Sequence, residues 1–453
     1  MRIHLVGIGG AGLSAIAAVL LQQGYTVSGS DRQMSPALER LSRLGATIAI
    51  GHDRQNLTTP DRVVISSAIM DDNPEVIEAR RRQIPVQKRP AWLGEMMRDK
   101  RGIAIAGAHG KTATTAMIAL ILSQAGLSPT YIIGGFLPQL NSNAAAGQSD
   151  LFIIEADEYD HTFLSLKPEI AVITNIEWDH PDTYPTEADL HQAFADFAGL
   201  VPAHGQLILC GDDPGGRKLL SRYPAALTYG LQPENIWQAV NLTLNQAGGY
   251  CFNVQYQAQL MTARPVSLKT PGRHNVQNAL AALVVAKTAG VSPDRAGQIL
   301  STYTGVERRF EIKGEINGVA IIDDYAHHPT EIRASLAAAR ARFGERPIWA
   351  VFQPHTYSRV KLLLAEFAAA FADANHVIIL DIFSAREKDD GSVHSRDILA
   401  RMRHPDARYI GPAPAAVAYL RHHLSAGDIL ITLNAGDGYK VGEDVLAPLR
   451  FED

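Results

Sequence analysis

Apolar runs typical of buried β-strands alternate with helical patterns along the whole of this 453-residue chain. The first 31 residues set the pattern, with a strand, a glycine-rich turn, a helix and a second strand in that order. Because parallel strands must be joined by long crossovers, usually helices, this alternation predicts an α/β fold with mostly parallel sheets. A chain of this length is expected to form several domains rather than one.

Two changes of pattern divide the chain into three predicted domains. A basic and polar stretch, Arg98–Arg101, separates the first strand–helix series from the next, and a third series begins near Val306 after an irregular, β-rich segment. We therefore predict a Rossmann-like domain over residues 1–98 and a central, P-loop ATPase-like domain with a mostly parallel sheet over residues 99–305. A second Rossmann-like domain is predicted over residues 306–453.

One helix of the central domain has recognisable ends. In the stretch HNVQNALAALVVAKTAG, Asn275 is of a type that caps helix N-termini, and Gly290 is of the type that follows a last turn. We predict a helix that starts at Asn275 and stops before Gly290.

The composition is ordinary for a globular enzyme, with 46% hydrophobic and 20% charged residues. A net charge of −5 gives no general attraction to nucleic acid or to anionic lipid. The two cysteines, Cys210 and Cys251, are too few for a disulfide framework and fit a reducing compartment. We expect a cytoplasmic protein that binds neither nucleic acid nor membrane.

The turn Gly107–Thr112 has the features of a phosphate-binding loop, although it departs from the common G-x-x-x-x-G-K-[ST] pattern because Ile105 stands where the first glycine is expected. A strand leads into the turn and a helix follows, so backbone N–H groups at the helix start can bind phosphate. Lys111 can reach terminal phosphates and Thr112 can ligate Mg²⁺. The alternative, a glycine turn with an incidental lysine, explains this order of elements less well.

Acidic and polar side chains follow two further strands of the central domain. Glu155 directly follows an apolar run, with Asp157, Glu158 and Asp160 behind it. Such a cluster is usually a solvated turn, but beside a phosphate loop Glu155 is the expected Mg²⁺ ligand. The next strand end offers further candidates for the same edge of the sheet, namely Asn175, Asp179 and His180.

The first glycine-rich turn matches the dinucleotide fingerprint G-x-G-x-x-G at Gly7, Gly9 and Gly12. Asp31 ends the second strand about 20 residues further on, as the fingerprint requires. This pattern is the basis of a rival interpretation, an NAD-dependent oxidoreductase. However, the turn indicates only a phosphorylated ligand, and no later motif resembles a hydride-transfer site.

A third cluster follows strands of the C-terminal domain. The stretch IIDDYAHHPTEI contains Asp323, Asp324, Tyr325, His327 and His328. Because neighbouring side chains diverge in an extended chain, the two histidines are not expected to share a metal. In VFQPHTYSR, His355 and Arg359 leave another strand end, and an arginine suits a bidentate grip on a carboxylate.

Together these motifs resemble the Mur ligases of peptidoglycan synthesis over essentially the whole chain. The stretches that carry the resemblance are the GIGGAG and SGSD motifs, GAHGKT, EADE, TNIEWDH, HNVQNALAA and DDYAHHPTEI. Within the family, HLVGIGGAGLS, GVERRFEIKGE and VFQPHTYSR look like the alanine-adding branch. The resemblance implies a UDP-sugar-binding domain, a central ATPase domain and an amino-acid-binding domain. It also implies a ligase that uses ATP and Mg²⁺ to join L-alanine to UDP-N-acetylmuramate through an acyl phosphate.

The resemblance also implies a role for each motif residue. The UDP-sugar would contact Gly7, Gly9, Gly10, Gly12, Asp31, His52 and Ser67. ATP would contact Gly107, His109, Gly110, Lys111, Thr112, Asn175, His274, Asn278, Arg309 and Asp323. Metal would be held by Thr112, Glu155 and His180, and alanine by Tyr325, His355 and Arg359. The catalytic set would be Lys111, Thr112, Glu155 and His180, with His327 or His355 as the base for the amine.

The sequence departs from the usual family pattern in the phosphate loop and in the acidic cluster that begins at Glu155. Ala108 and Ala113 replace threonines usual in the phosphate loop, while Lys111 and Thr112 are intact. The sequence EADEYD resembles forms found in the tripeptide-recycling sibling, so a ligase that accepts a peptide remains the alternative. The absence of lysine between Thr174 and Arg217 fits the alanine-adding branch, because several siblings use a CO₂-modified lysine there. Monomer and homodimer are both open.

Overall fold

The computed structural model describes residues 1–447 and contains three β-sheets flanked by helices, which confirms the α/β class. The strands are β1 Arg2–Val6, β2 Thr26–Asp31, β3 Thr47–Ile50, β4 Arg62–Ile65, β5 Val86–Lys88, β6 Arg101–Ala106, β7 Thr130–Leu137, β8 Ser142–Ala145, β9 Leu151–Glu155, β10 Pro168–Ile173, β11 Gln206–Cys210, β12 Leu227–Gly230, β13 Trp237–Leu244, β14 Tyr250–Tyr256, β15 Gln259–Leu260, β16 Val266–Ser267, β17 Glu311–Ile316, β18 Val319–Asp324, β19 Ile348–Phe352, β20 His376–Leu380, β21 Ala407–Gly411 and β22 Ile429–Leu433.

Helices follow most of these strands. They are α1 Ala11–Gln22, α2 Pro36–Arg43, α3 Pro74–Arg81, α4 Arg89–Met96, α5 Lys111–Gln124, α6 Glu187–Ala198, α7 Pro214–Leu220, α8 Arg273–Thr288, α9 Pro293–Leu300, α10 Pro329–Phe343, α11 Tyr357–Leu362, α12 Leu364–Ala368, α13 Ser395–Arg401, α14 Ala413–His423 and α15 Tyr439–Leu446. None of the helices in residues 1–447 combines the length and the apolar composition needed to cross a bilayer.

The first sheet is fully parallel and has the strand order β3-β2-β1-β4-β5. Strand β1 lies at its centre, and the chain passes to one side through β2 and β3 before it returns to β4 and β5. Ligands of doubly wound sheets bind beyond the carboxyl ends of the strands, where the order reverses. That position is next to the glycine-rich turn between β1 and α1.

The second sheet has a parallel path, β7-β9-β6-β10-β11-β12, with β8 antiparallel on its edge. Strand β6 lies between β9 and β10, so the carboxyl ends of all three meet at one edge. The path continues from β12 to the first residues of β13, Trp237 and Gln238. Beyond them, β14 pairs antiparallel with the short strands β15 and β16.

The third sheet has the order β17-β18-β22-β19-β20-β21, and only β17 runs antiparallel to its neighbour. Its central strands β18, β22 and β19 are buried and are apolar except for Asp323, Asp324 and Thr432, because helices cover both faces. Successive residues of β18 alternate between two buried clusters, with Ile322 in one and Ile321 in the other. Because β18, β22 and β19 pair in parallel, their C-terminal ends lie at one edge of the sheet.

By its internal contacts the chain divides into two compact units. The first comprises Met1–Glu177, Ala188–Gln238 and Leu280–Ile299, and the second comprises Trp178–Glu187, Ala239–Ala279 and the chain from Leu300 onward. The bounds of the three predicted domains remain predictions, and the last six residues of the third domain lie outside the described residues.

The prediction for the ends of α8 is half right. The helix begins at Arg273, so Asn275 lies inside its first turn and its side chain donates to the carbonyl of Pro271 at 2.7 Å. The N-cap prediction is wrong because the turn at Gly272, with φ of 94°, starts the helix earlier. The C-terminal prediction is confirmed, since Gly290 has φ of 93° and donates to the carbonyl of Lys287.

Candidate active site

The glycine-rich turn after β1 is held by the end of β2. The backbone N–H of Gly9 donates to Asp31 Oδ2 at 2.8 Å, and a Cβ on Gly9 would lie 2.8 Å from the same oxygen. A Cβ on Gly12 would lie 2.6 Å from Nη1 of Arg89, a residue that sequence reasoning did not assign. Asp31 therefore orders the turn itself, in addition to its predicted place beside the uridine.

Two other residues predicted on the uridine side have contrasting surroundings. His52 Nδ1 lies 3.0 Å from Ser30 Oγ. Ser67 Oγ is buried and finds no hydrogen-bond partner within the described chain. A buried hydroxyl without a partner is costly, so Ser67 has the property expected of a group that a ligand completes.

The phosphate loop is fixed by the strand end of β10. Gly107 has φ of 136°, and a Cβ there would lie 2.0 Å from Thr174 Oγ1, so only glycine fits. The Asn175 side chain makes two hydrogen bonds to the backbone of His109. Its Oδ1 accepts from the His109 N–H at 2.9 Å, and its Nδ2 donates to the His109 carbonyl at 2.9 Å. The ring of His109 reaches Glu177 at 2.8 Å. Asn175 therefore lies at the same edge of the sheet as the loop, and its predicted contact with ATP remains a prediction.

Lys111 lies at the start of α5 and is almost fully enclosed. Its Nζ donates to both carboxylate oxygens of Glu158, at 2.8 and 3.0 Å, and to the carbonyl of Gly107 at 2.5 Å. Burial lowers the pKa of Lys111, but the nearby carboxylates of Glu158, Asp157 and Glu155 outweigh burial and raise it above its ordinary value. The sequence placed Glu158 only in an acidic cluster, so its pairing with Lys111 was missed.

Thr112 and Glu155, both predicted metal ligands, meet at the carboxyl edge of the second sheet. Thr112 Oγ1 donates to Glu155 Oε1 at 3.0 Å, and the N–H of Gly134 donates to Oε2 at 2.9 Å. A Cβ on Gly134 would lie 2.3 Å from that oxygen, so glycine is required for this approach. The third predicted ligand, His180, belongs to the second compact unit, and its role remains a prediction.

In the second unit, side-chain hydrogen bonds join the end of β18 to the end of β22. Asp323 accepts hydrogen bonds from Arg308 Nε at 3.1 Å, Thr432 Oγ1 at 2.8 Å and Asn434 Nδ2 at 3.2 Å. Arg309, the arginine predicted to reach ATP, lies with its guanidinium carbon 4.9 Å from the centre of the Tyr325 ring. Arg308, which the sequence did not assign, is thus the arginine that holds Asp323.

The two residues predicted to meet adenine lie in the first turns of α8. Both are largely buried, and Asn278 donates to Asn275 Oδ1 at 3.3 Å. Burial lowers the pKa of His274 to about 4, so its imidazole is neutral at pH 7. A neutral imidazole and an amide one helical turn apart offer hydrogen bonds without charge, which suits a nucleobase.

Arg359 is buried and already carries a carboxylate partner. Its Nε and Nη2 donate to the two oxygens of Asp179, at 2.9 and 3.1 Å, and its Nη1 lies 3.0 Å from His355 Nδ1. Burial opposes the charge on Asp179, but Arg359 and His180 hold the pKa of that carboxyl well below its usual range. Arg359 thus makes a bidentate contact with a carboxylate of the protein, Asp179, and its predicted contact with alanine remains a prediction.

His327 and His328 have different partners, as expected for adjacent side chains. His328 Nδ1 accepts the N–H of Thr330 and caps α10. His327 Nδ1 lies 2.9 Å from the carbonyl of Tyr325 and 3.3 Å from Glu331 Oε2. Since both neighbours only accept, His327 Nδ1 carries the hydrogen and Nε2 has the lone pair.

His355 has the opposite tautomer. A guanidinium can only donate, so His355 Nδ1 accepts from Arg359 and its hydrogen lies on Nε2. Burial is the main cause that lowers the pKa of His327 to about 3 and that of His355 to about 4, so both rings are neutral at pH 7. The rings lie edge to face, with their centres 5.6 Å apart.

The comparisons with known proteins cover the chain from end to end. Three family models match in order: the Mur ligase family catalytic domain over residues 2–101, the Mur ligase middle domain over 105–286, and the Mur ligase glutamate ligase domain over 308–436. The UDP-N-acetylmuramate–L-alanine ligase of Roseiflexus castenholzii is 43% identical, with 100% of this chain and 98% of that protein covered. The enzyme of the same name from Caldanaerobacter subterraneus is 42% identical, with 98% and 97% covered.

Two solved structures are similar over nearly the full length. The UDP-N-acetylmuramate-alanine ligase of Thermotoga maritima has a TM-score of 0.83 and 28% identity, with 98% of each chain covered. A murein peptide ligase from Psychrobacter arcticus has a TM-score of 0.75 and 26% identity, again with 98% of each chain covered. On these matches, this chain belongs to the Mur ligase family.

Proposed function

We propose that this chain is an ATP-dependent ligase that joins L-alanine to the carboxylate of UDP-N-acetylmuramate and releases ADP and phosphate. The observation that carries the proposal is the full-length similarity, at 42–43% identity, to ligases of that name. The phosphate loop supports it independently, because Lys111 and Thr112 lie at a helix start beside the carboxylate of Glu155.

The residues at the loop suit Mg²⁺ and ATP. Mg²⁺ prefers hard oxygen ligands, and Thr112 Oγ1 with the carboxylate of Glu155 supplies such a set within hydrogen-bond distance. When bound, Mg²⁺ would neutralise charge on the phosphates. The chain's own contribution is the positive charge of Lys111 and the N–H groups at the start of α5, which position the terminal phosphate.

The proposed reaction has two bond-forming steps. A carboxylate oxygen of UDP-N-acetylmuramate attacks the γ-phosphorus of ATP, the bond between the γ-phosphorus and its bridging oxygen breaks, and ADP leaves. The alanine nitrogen then attacks the acyl carbon, the carbon–oxygen bond to phosphate breaks, and an amide remains. The alanine ammonium has to lose a proton before or during this attack, which calls for a base in the amino-acid site.

The tautomers favour His327 over His355 as that base. Because His327 Nδ1 donates to the Tyr325 carbonyl, its Nε2 has a free lone pair. His355 receives the hydrogen bond of Arg359 on Nδ1, so it presents an N–H on Nε2 and suits an acceptor such as the alanine carboxylate. Sequence reasoning had left the two histidines equal.

Of the two alternative functions, the comparisons leave one as a candidate and argue against the other. A sibling ligase that adds a peptide remains a second candidate, since a murein peptide ligase shares the fold at a TM-score of 0.75. An NAD-dependent oxidoreductase is no longer supported, because the chain is a Mur ligase by family. The glycine-rich turn after β1 is then the proposed site for the diphosphate of the sugar nucleotide.

The deciding experiment measures ADP release with UDP-N-acetylmuramate and, in separate reactions, alanine, serine, glycine or the cell-wall tripeptide. We expect turnover with alanine and much less with the other acceptors. Turnover with the tripeptide alone would overturn the proposal in favour of the recycling sibling. A cytoplasmic location, and a monomer or homodimer, accompany the proposal as predictions.

A further inference from the structure

A buried carboxylate lies beneath the segment that contains His52. Glu75, at the start of α3, has a side chain that is 0% exposed, yet it is not part of any motif that the sequence singled out. Four donors converge on it: His4 Nε2 at 3.2 Å and Ser30 Oγ at 2.6 Å on Oε2, and Asn56 Nδ2 at 2.5 Å and the Asp53 N–H at 3.2 Å on Oε1.

These hydrogen bonds keep Glu75 ionised. Burial alone would raise its pKa, but the hydrogen bonds from His4, Ser30 and Asn56 hold the pKa below the ordinary value. A buried carboxylate of this kind only accepts, so each neighbour is obliged to point a hydrogen at it. The orientation of every polar group in the cluster follows from that requirement.

The ionised Glu75 also determines the tautomer of His52, because Ser30 contacts both side chains. The Ser30 hydroxyl has one hydrogen, which goes to Glu75, so its oxygen accepts from His52 Nδ1 at 3.0 Å. The neutral ring of His52 therefore carries its hydrogen on Nδ1 and a lone pair on Nε2. Among residues 1–447, no group makes a hydrogen bond to that Nε2, and the side chain is 13% exposed.

We propose that Glu75 is a positioning residue that sets the tautomer of His52 through Ser30, so that His52 Nε2 accepts a hydrogen bond from the nucleoside of the sugar nucleotide. This inference rests on the proposed function, which makes that nucleoside a uridine. The uracil N3–H and the ribose hydroxyls are the donors that a uridine offers. The lone pair would favour a base with a ring N–H over cytosine, whose N3 only accepts.

Replacement of Glu75 by glutamine would reverse the direction of the hydrogen bond between Ser30 and His52 when the amide NH₂ faces Ser30. Whichever way the amide is turned, its NH₂ group faces two of the four donors. If the NH₂ faces Ser30, the hydroxyl accepts from it and donates to His52 Nδ1, so the hydrogen of His52 moves to Nε2 and the acceptor is lost. Ser30→Ala removes the connection altogether.

The first test is spectroscopic and needs only the wild-type protein. Long-range ¹H–¹⁵N correlation spectra of histidine-labelled protein at mildly alkaline pH report which imidazole nitrogen carries the hydrogen, and a His52→Gln sample assigns the signals. We expect the Nδ1–H tautomer in the wild type and the Nε2–H tautomer, or a mixture, in Glu75→Gln and Ser30→Ala. A wild-type His52 with its hydrogen on Nε2 would overturn the inference.

The second test is kinetic and uses Glu78→Gln as the matched control, because Glu78 is on the same helix and its carboxylate pairs, within residues 1–447, only with Arg81 and Arg82. For Glu75→Gln we expect the KM for UDP-N-acetylmuramate to rise about 10- to 100-fold, as for one lost hydrogen bond in a buried site. The KM values for ATP and alanine and the kcat should stay close to those of the control. An equal KM in Glu75→Gln and Glu78→Gln, or a parallel rise for all three substrates, would contradict a positioning role.

Ligand analogues identify the donor and separate this inference from the proposed function. Calorimetric binding of UDP is compared with binding of its N3-methyl, 2′-deoxy and 3′-deoxy analogues, and the weakest analogue shows which group donates. If all three analogues bind as tightly as UDP, Nε2 accepts nothing from the nucleotide and the inference fails. A wild type that binds UDP but does not release ADP with UDP-N-acetylmuramate and alanine would instead contradict the proposed function alone.

Discussion

Two buried ion pairs, Lys111–Glu158 in the first unit and Arg359–Asp179 in the second, each join a cation with a predicted ligand-binding role to a carboxylate. The Lys111 ammonium donates its hydrogen bonds from one atom, Nζ, and divides them between Glu158 and loop carbonyls. Arg359 makes a planar, bidentate contact with Asp179 and uses a further N–H on His355. The exposed fractions are similar, 13% and 3% for the first pair and 5% and 9% for the second.

The difference lies in what each cation can do when a ligand arrives. A lysine ammonium on a flexible stem can turn toward phosphates that carry several negative charges. An arginine held on both oxygens of a buried carboxylate loses two charge-assisted hydrogen bonds if it turns away. We therefore expect Lys111 to act mainly on the reaction, whereas Arg359 acts mainly on the local structure that positions His355. Direct contact of Arg359 with alanine remains a prediction.

The largest effect is expected for Lys111→Ala, which should lower the rate of ADP release about 10³- to 10⁵-fold because the charge that stabilises the transferred phosphoryl group is lost. The rate is measured with saturating UDP-N-acetylmuramate and alanine, and binding of the sugar nucleotide is measured by calorimetry and should change little. Lys100→Ala is the control, since within residues 1–447 the Lys100 side chain donates only to the Ser149 carbonyl. Retained turnover in Lys111→Ala would contradict the assigned role and remove the contrast between the two pairs.

Asp179→Asn should lower the free energy of unfolding by about 3–5 kcal/mol, because it leaves the buried guanidinium of Arg359 without its charge partner. Urea denaturation of the protein is the measurement, with the exposed Asp373→Asn as the control. An unfolding midpoint equal to that of the control would show that Arg359 does not depend on Asp179.

The same pair predicts a pH dependence. Because the folded-state pKa of Asp179 lies below its unfolded value, its contribution is complete at neutral pH and is lost as the pH falls below about 4. The stability difference between wild type and Asp179→Asn should therefore be full at pH 7 and should shrink in acid. Denaturation at pH 7, 5 and 3.5 checks this, and a difference that grows as the pH falls would have the wrong sign.

Glu158→Gln should have the smallest effect on stability, about 1–3 kcal/mol, because the amide still accepts one hydrogen bond and Lys111 keeps the Gly107 carbonyl. The exposed Asp160→Asn is the control. A loss in Glu158→Gln as large as that in Asp179→Asn would show that the two pairs do not differ in the way proposed.

Local motifs and long-range contacts were predictable to different degrees. The meeting of Thr112 with Glu155, and the placement of Asn175 at the same edge as the phosphate loop, could be predicted, because parallel strand ends share one edge of a sheet. The partners of Lys111 and Arg359 could not, since Glu158 was one of four acids within residues 155–160 and Asp179 is 180 positions from Arg359. The Asn275 cap failed for a related reason, because the preceding turn at Gly272 sets where the helix starts.

The sequence by itself determined the α/β class, the two glycine turns and the residue types placed at the strand ends, because periodicity and local turn geometry are properties of neighbouring residues. Tertiary structure alone decided which carboxylate faces which cation, which histidine nitrogen carries a hydrogen, and that a residue outside every motif, Glu75, lies beneath His52. The physical reason is that buried polar groups must pair, and only the packed sheets and helices determine which partners are within reach.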